Sequence, residues 1–226
     1  MFSCLVDASK AFDKVHYCKL FNILIKRKLP CHVIRFLLDS YTRQKVCVSW
    51  DSSISGYFNT MNGVKQGGVL SPILCIVYID ELITRLQSSG IGCRVGNHYV
   101  GVLGYADDLT LLSPSVRSLN KILLICNNFA DEFNITFNAK KTICIKFGNK
   151  VSEHDKVVLS GATIEWTNKV KHLGNMVNTT LSDDDDCKLK RSAFIGSVNK
   201  LFGNYGCLQC DILLKLLNKY CCSFYG

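Results

Sequence analysis

No stretch of this 226-residue chain is long and apolar enough to cross a bilayer: the longest apolar run, residues 73–79, falls far short of the roughly 20 residues a spanning helix needs. A membrane is therefore not among the expected partners. A secretory leader is missing too, because no basic segment opens the chain and Asp7 interrupts the first apolar residues. Internal repeats and low-complexity linkers are absent, which leaves one large domain, or a domain with a smaller piece attached. Cysteine is plentiful, at 13 residues, but the spacing of a disulfide scaffold is not there. The number is odd, and Cys4, Cys47, Cys75, Cys126 and Cys144 fall inside apolar patterns, where Cys packs as a small hydrophobe. This predicts a reducing, intracellular compartment, with cytoplasm and nucleus both open. Cys207, Cys210, Cys221 and Cys222 lack the spacing and the neighbouring His of a zinc site. Acids are in deficit, 18 against 27 Lys and Arg, a net charge of +9. That excess suits a polyanion, nucleic acid before anionic membrane, and suits plain solubility as well.

What is present centres on residues 100–113, VGVLGYADDLTLLS. Two apolar runs rich in Val and Leu read as buried strands, and the polar centre between them is turn-compatible. The prediction is a β-hairpin with Asp107 and Asp108 at its tip. Adjacent carboxylates repel, and a divalent cation removes the repulsion; Mg²⁺ in particular takes carboxylates together with substrate phosphates. An Asp-rich surface turn has the same four letters, so the tetrapeptide does not decide by itself.

The other segments give that hairpin a context. Residues 2–7 read as a buried strand presenting Asp7 at its C-terminal end. Residues 17–29 and 33–41 are amphipathic helices, the first ending in Lys26, Arg27 and Lys28 and stopped by Pro30. Residues 45–50 alternate like a strand. The glycine turn at 63–68 feeds a helix over 69–89, with Pro72 in its first turn and Gly90 as C-cap. Such a turn binds phosphate in some proteins and is a simple loop-to-helix junction in others. Residues 115–133 place Val116, Leu119, Leu123, Cys126, Ala130 and Phe133 on one stripe. Residues 135–137 are extended, 138–141 form a polar turn, and 142–147 alternate. Residues 157–159, 164–166 and 170–177 suggest short antiparallel strands. Residues 188–204 and 211–220 read as helices, with Ser182 as N-cap ahead of the acids at 183–186. The whole predicts an α+β fold, an antiparallel sheet with helices packed on one face, placing Asp7 and Asp107 on neighbouring strand ends.

In this order the segments resemble the palm of a reverse transcriptase of the non-LTR retrotransposon type. VDASKAFDKV resembles motif A, GVKQGGVLSP motif B, GYADD motif C, FNAKKT with CIKFG motif D, and VKHLGNMV motif E, the primer grip. The terminal AFIGSVNKLFG and YCCSFYG resemble the start of the thumb. The resemblance divides the chain into a palm over 1–180 and a partial thumb over 181–226. Only six residues precede Asp7, so the fingers of the family are expected to be missing.

The resemblance implies roles residue by residue. Asp7, Asp107 and Asp108 are the catalytic carboxylates, and with the Ala8 carbonyl they hold two Mg²⁺ ions, for which Mn²⁺ can substitute. Phe12 is the steric gate against a ribose 2′-OH, Gln66 and Gly67 shape the nucleotide pocket, and Lys141 lies near the triphosphate. His172, Leu173 and Gly174 form the primer grip. The implied partners are an RNA template, a DNA primer, dNTPs and the remainder of a longer retrotransposon protein. The implied activity is RNA-directed DNA polymerisation. The alternatives are a catalytically inactive polymerase remnant that binds nucleic acid, and an RNA-templated RNA polymerase, which the aromatic at Phe12 disfavours. For Lys141 a solvated strand-edge lysine is the alternative.

Overall fold

The computed structural model describes residues 1–9, 11–105, 108–148, 155–206 and 208–222. The chain divides into two compact units, Met1–Thr167 and Asn168–Gly226. The first begins with β1 (Phe2–Ser9), then α1 (Tyr17–Lys26) and α2 (Cys31–Thr42). Four two-residue strands follow, β2 (Lys45–Val46), β3 (Ser49–Trp50), β4 (Ser53–Ile54) and β5 (Phe58–Asn59), paired β2 with β5 and β3 with β4. The continuous strand expected over 45–50 is thus two short pieces, exposed at Trp50 and Ile54, with no neighbouring sheet to extend them. Then come α3 (Ser71–Ser89), the small hairpin β6 (Arg94–Val95) with β7 (His98–Tyr99), and the central hairpin β8 (Val102–Tyr105) with β9 (Asp108–Ser113). The unit closes with α4 (Val116–Phe133), β10 (Thr136–Phe137), β11 (Ile143–Lys146), the pair β12 (Val158–Leu159) and β13 (Ala162–Thr163), and β14 (Glu165–Thr167).

The sheet runs β14-β11-β1-β9-β8, and β10 also pairs with β1. Every pairing is antiparallel except β11 with β14, which is parallel. This corrects the expectation of an antiparallel strand at 164–166. A parallel pair needs a crossover, and β12 and β13 supply it by running over α4: Asn120 Oδ1 accepts from Val158 N, and Asn127 Oδ1 from Ser160 N.

Helices cover one face of the sheet, as the α+β expectation requires. Cys4, Val6 and Ala8 of β1, Leu109 and Leu111 of β9, and Cys144 of β11 meet Leu119, Ile122, Leu123, Cys126 and Phe129 of α4 in one core. The start of α4 and the ends of α3 and α4 follow local rules of capping. The helix over 184–205 instead has Asp183, and not the expected Ser182, at its N-cap, with no side-chain cap bond, because it starts one residue later than a Ser182 cap would set it. Ser115 Oγ accepts from Ser118 N and caps α4, Asn134 closes it at φ +56°, and Gly90 closes α3 at φ +65°. Tyr78 of α3 is buried and donates its hydroxyl to the Phe133 carbonyl at 2.8 Å, tying α3 to α4. Burial pushes that phenol up to about 12.

The second unit contains the hairpin β15 (Lys169–His172) with β16 (Asn175–Asn178), then α5 (Asp184–Tyr205) and α6 (Cys210–Tyr220). Leu201, Leu213 and Cys221 form its small core. α5 starts four residues earlier than the apolar pattern suggests, because Asp184, Asp185 and Asp186 occupy its first turn, where carboxylates suit the helix dipole. Among the described residues, no helix is long and apolar enough to cross a membrane.

Candidate active site

The site is built on a change of register in β1. Along residues 2–5 this strand pairs with β11, Leu5 facing Ile143. At Ala8 and Ser9 it pairs with β10 instead, Ala8 facing Phe137. Asp7 sits where the two ladders meet. Its carbonyl accepts from Asn138 N at 2.9 Å, as the β10 ladder dictates. The return bond is not made in the usual way. The Asn138 carbonyl is turned into the loop and accepts from Lys141 N and Thr142 N. The buried Thr142 hydroxyl takes the Asp7 N–H in its place, at 3.4 Å.

Both backbone polar groups of Asp7 therefore point away from β9. Asp7 still lies directly opposite Asp108 on that strand. A facing pair that exchanges no backbone hydrogen bonds is the narrow kind, with Cα atoms about 4.5 Å apart and both side chains on one face. That face is the one the helices leave uncovered, since alternation sends Val6 and Ala8 into the core and Asp7 outward. By the same alternation the Ala8 carbonyl faces the β9 side. Strand β1 extends two residues past Asp7, where the sequence pattern ended it, because β10 supplies a partner there.

Like charges directly opposite destabilise a sheet unless something offsets them. Among the described residues, neither Asp7 nor Asp108 has an ion-pair partner. Oxygen donors converging without a protein cation suit a hard divalent ion. Asp107 lies outside the described residues, as does Ala106, and among the described residues no group of three ligating side chains assembles.

Two loops dock around the end of β1. Val64 N donates to the Phe12 carbonyl at 2.8 Å, Gly63 N to the Val15 carbonyl at 2.9 Å, and the Tyr17 hydroxyl to the Gly63 carbonyl at 2.9 Å. Gly63 has φ +87°, and a Cβ there would lie 2.9 Å from the Asp13 carbonyl oxygen, so only glycine fits. Gln66 is exposed, and its Nε2 donates to Asp13 Oδ1 at 3.2 Å. Gly67, at φ +80°, has open space around it. Phe12 is half-buried against the edge of the core. On the other side, Asn138 Oδ1 accepts from Lys140 N at 3.1 Å and shapes the turn that carries the exposed Lys141. Asp7 and Ala8 thus lie on β1, Phe12 in the segment that follows it, Gln66 and Gly67 in the loop bonded to that segment, and Lys141 in the turn bonded to Asp7.

His172, Leu173 and Gly174 lie in the second unit, at the β15–β16 turn. Leu173 and Gly174 both have positive φ, +48° and +83°, as a two-residue hairpin turn demands. Asp186 Oδ1 accepts from Met176 N and holds this hairpin to α5. The Lys190 ammonium, with that amide, keeps the Asp186 carboxyl below the usual carboxylate range.

Sequence reasoning passed over Thr142, Asn138 and Asp13. Each works through a backbone group or a second side chain. The one readable trace was the polar turn at 138–141, whose Asn and following Thr are residues that bond nearby backbone.

A family model described as reverse transcriptase (RNA-dependent DNA polymerase) matches residues 2–177. The chain is 31% identical over 151 residues to a retrovirus-related Pol polyprotein from the type-2 retrotransposable element R2DM of Drosophila melanogaster, covering 66% of this chain and 14% of that protein. It is 26% identical over 241 residues to the RNA-directed DNA polymerase from mobile element jockey of the same organism, covering 98% of this chain and 25% of that protein. Among solved structures, telomerase from Candida tropicalis in complex with a TWJ fragment of telomeric RNA matches with a TM-score of 0.59 at 13% identity, over 96% of this chain and 38% of that one. At that identity the likeness is one of fold. The chain spans a quarter or less of the length of these two curated relatives.

Proposed function

The chain belongs to the reverse transcriptase (RNA-dependent DNA polymerase) family, and from that premise we propose that it carries the palm of an RNA-directed DNA polymerase that adds dNTPs to a primer 3′-OH on an RNA template. The proposed partners are that template, a DNA primer, dNTPs and the rest of a longer retrotransposon protein. The observation that carries the reading is the facing pair Asp7 and Asp108 on the uncovered face of the sheet.

Asp7 and Asp108, with Asp107 and the Ala8 carbonyl by family resemblance, would hold two Mg²⁺ ions, or Mn²⁺ in their place. When bound, such ions ease deprotonation of the 3′-OH and balance charge on the departing pyrophosphate. The chain's own part is placement. Paired strands hold the two acids at a fixed separation, which loops would not do. Phe12, anchored at the core edge, crowds the sugar and excludes a 2′-OH. Asp13 holds Gln66 beside it. Lys141, without an ion pair among the described residues, offers charge and a proton to the leaving pyrophosphate.

The test is primer extension on poly(rA)/oligo(dT) with Mg²⁺, using this chain and a version extended at its N-terminus. Asp7→Asn and Asp108→Asn should each cut dNTP incorporation by about 10³-fold or more, roughly the 4 kcal/mol typical of a lost electrostatic group in a water-excluded site. Binding of an RNA–DNA hybrid should hold, because removing a negative charge near phosphate does not weaken it. Incorporation surviving in both variants would remove the pair from the chemistry. Hybrid binding with no incorporation by either unmutated version would favour the inactive remnant.

A further inference from the structure

On the helix side of the sheet, opposite the carboxylates, α4 and the segment leading into β12 enclose an open cleft of about 560 Å³ lined by Val116, Arg117, Asn120, Lys121, Leu124 and Lys156. Arg117, Lys121 and Leu124 follow one another at helical spacing, on the outward stripe of α4. The opposite wall is fixed by Asn120, which uses both ends of its amide. Its Nδ2 donates to the Lys156 carbonyl at 2.9 Å, and its Oδ1 accepts from Val158 N at 3.0 Å. Lys156 is thereby held across from the two helical cations.

Among the described residues, none of the three cations has an ion-pair partner. The nearest acid in sequence, Asp155, is engaged by Lys146 at 2.8 Å. Among the described residues, no carboxylate lines the cleft. Three cations on one cleft, without an ion-pair partner among the described residues, repel one another, and this is tolerated where a polyanion completes them. The first turn of α4 adds the positive end of a helix dipole to the same wall. Leu124, exposed, and Val116 supply apolar floor between the charges, which suits the sugar and base faces of a nucleotide chain better than a compact inorganic anion.

We propose that this cleft is a second nucleic-acid site, which holds the phosphate backbone of single-stranded RNA on the side of the palm away from the catalytic face. The choice of nucleic acid among polyanions rests on the polymerase reading; the cleft itself does not. Placed behind the sheet, it cannot hold the stretch of template being copied. It would hold a separate segment of the same RNA, tethering the template while the primer end advances.

The experiment compares three versions of the 226-residue chain: the unaltered protein, the variant Arg117→Gln/Lys121→Gln/Lys156→Gln, and a control that loses equal charge elsewhere, Lys28→Gln/Arg35→Gln/Arg43→Gln. Each is titrated by fluorescence anisotropy with labelled single-stranded RNA of about 20 nucleotides, then with DNA of the same sequence, across a range of salt. The cleft variant should lose about 10-fold or more in RNA affinity at low salt, and its log–log salt slope should fall by roughly 2, three phosphate contacts at about 0.7 each. The control should change little. Melting temperatures should match, since all six side chains are on the surface. Equal losses in the cleft and control variants would mean that net charge alone binds RNA, and would overturn the proposal. So would unchanged RNA affinity in the cleft variant. A loss on DNA alone would contradict the assignment to RNA. Failure of primer extension by both the unaltered chain and its N-terminally extended version would count against the polymerase reading and leave these titrations standing.

Discussion

On one face of the sheet β1 presents Cys4, Val6 and Ala8; on the other it presents Leu5, Asp7 and Ser9. The first set meets Leu109, Leu111 and Cys144 and the underside of α4, and is sealed from solvent. The second set begins buried, at Ser3 beside Ile145, and opens progressively toward Asp7 and the exposed Asp108, with Leu103 and Tyr105 exposed on β8 beyond. One strand thus alternates between residues that hold the fold and residues left free for chemistry. The acids can be costly neighbours because the residues between them are not. Apolar side chains on the helix face fix the strands, and the carboxylates inherit that fixed spacing.

The comparison is most sharply tested by changing one residue on each face. Leu111→Ala empties a fully buried position and should cost about 2–5 kcal/mol of unfolding free energy, read by urea denaturation. Asp7→Asn should cost little or none, and relief of its repulsion with Asp108 could raise stability slightly. A large destabilisation by Asp7→Asn would show that the acid pair is structural and would break the division between the faces.

Phe12 stands at the boundary, half in the core and half out. Phe12→Ala should raise rNTP use relative to dNTP by at least the 1–3 kcal/mol that hydrophobic shape discrimination usually supplies. Kinetics with paired rNTP and dNTP substrates would measure it. A loss of stability with unchanged sugar selectivity would assign Phe12 wholly to the packed side.

The sealed face has its own titration. Burial pushes the Cys126 thiol up to about 12, and a hydrogen bond with Cys144, then burial, raises Cys4 as well. A group whose folded value is raised stabilises the fold fully below its unfolded value, near 8.5 for Cys, and loses that contribution as pH rises toward the folded value. Stability should therefore decline above about pH 8.5, by at most about 1.4 kcal/mol per pH unit for each thiol. Cys126→Ala should flatten part of that decline in alkaline urea melts. An undiminished slope in that variant would mean the thiol does not stay neutral in the fold.

The sequence made this architecture legible where one signal pointed one way. The amphipathic stripe of α4, its Ser115 cap, the hairpin around the YADD tetrapeptide and the Gly90 stop were all readable, because local pattern and tertiary burial agree there. Motif order set Asp7 beside Asp107, which lies outside the described residues; the acid that stands opposite Asp7 is its neighbour Asp108. Two features were not legible. The parallel β14 depends on a crossover fastened by Asn120 and Asn127, and nothing local to residues 164–166 records direction. The register change at Asp7 depends on how far the β10–β11 connection reaches, which is a property of two ladders at once. Charges outside the known motifs were legible only as a net excess, and their grouping across α4 required the fold.

The smallest expected effect tests that register change. Thr142 is buried, and its hydroxyl is the partner of the Asp7 amide at a distance of 3.4 Å, long for such a bond. Thr142→Val keeps the shape and removes the acceptor, leaving the part-buried Asp7 N–H unpaired. A net hydrogen bond is typically worth about 1 kcal/mol, which for a chain of this size is about 2–4 °C in melting temperature. Thr142→Ser restores the oxygen and should recover most of the loss. The activity of Thr142→Val should fall more than its stability does, and Mn²⁺ binding read by electron paramagnetic resonance should weaken, because a freed Asp7 backbone lets the carboxylate drift from Asp108. Thr142→Ser should again recover both. If Thr142→Val melts with the unaltered protein and binds Mn²⁺ equally well, the bond is idle and the cross-strand ladder to β9 alone positions the acid.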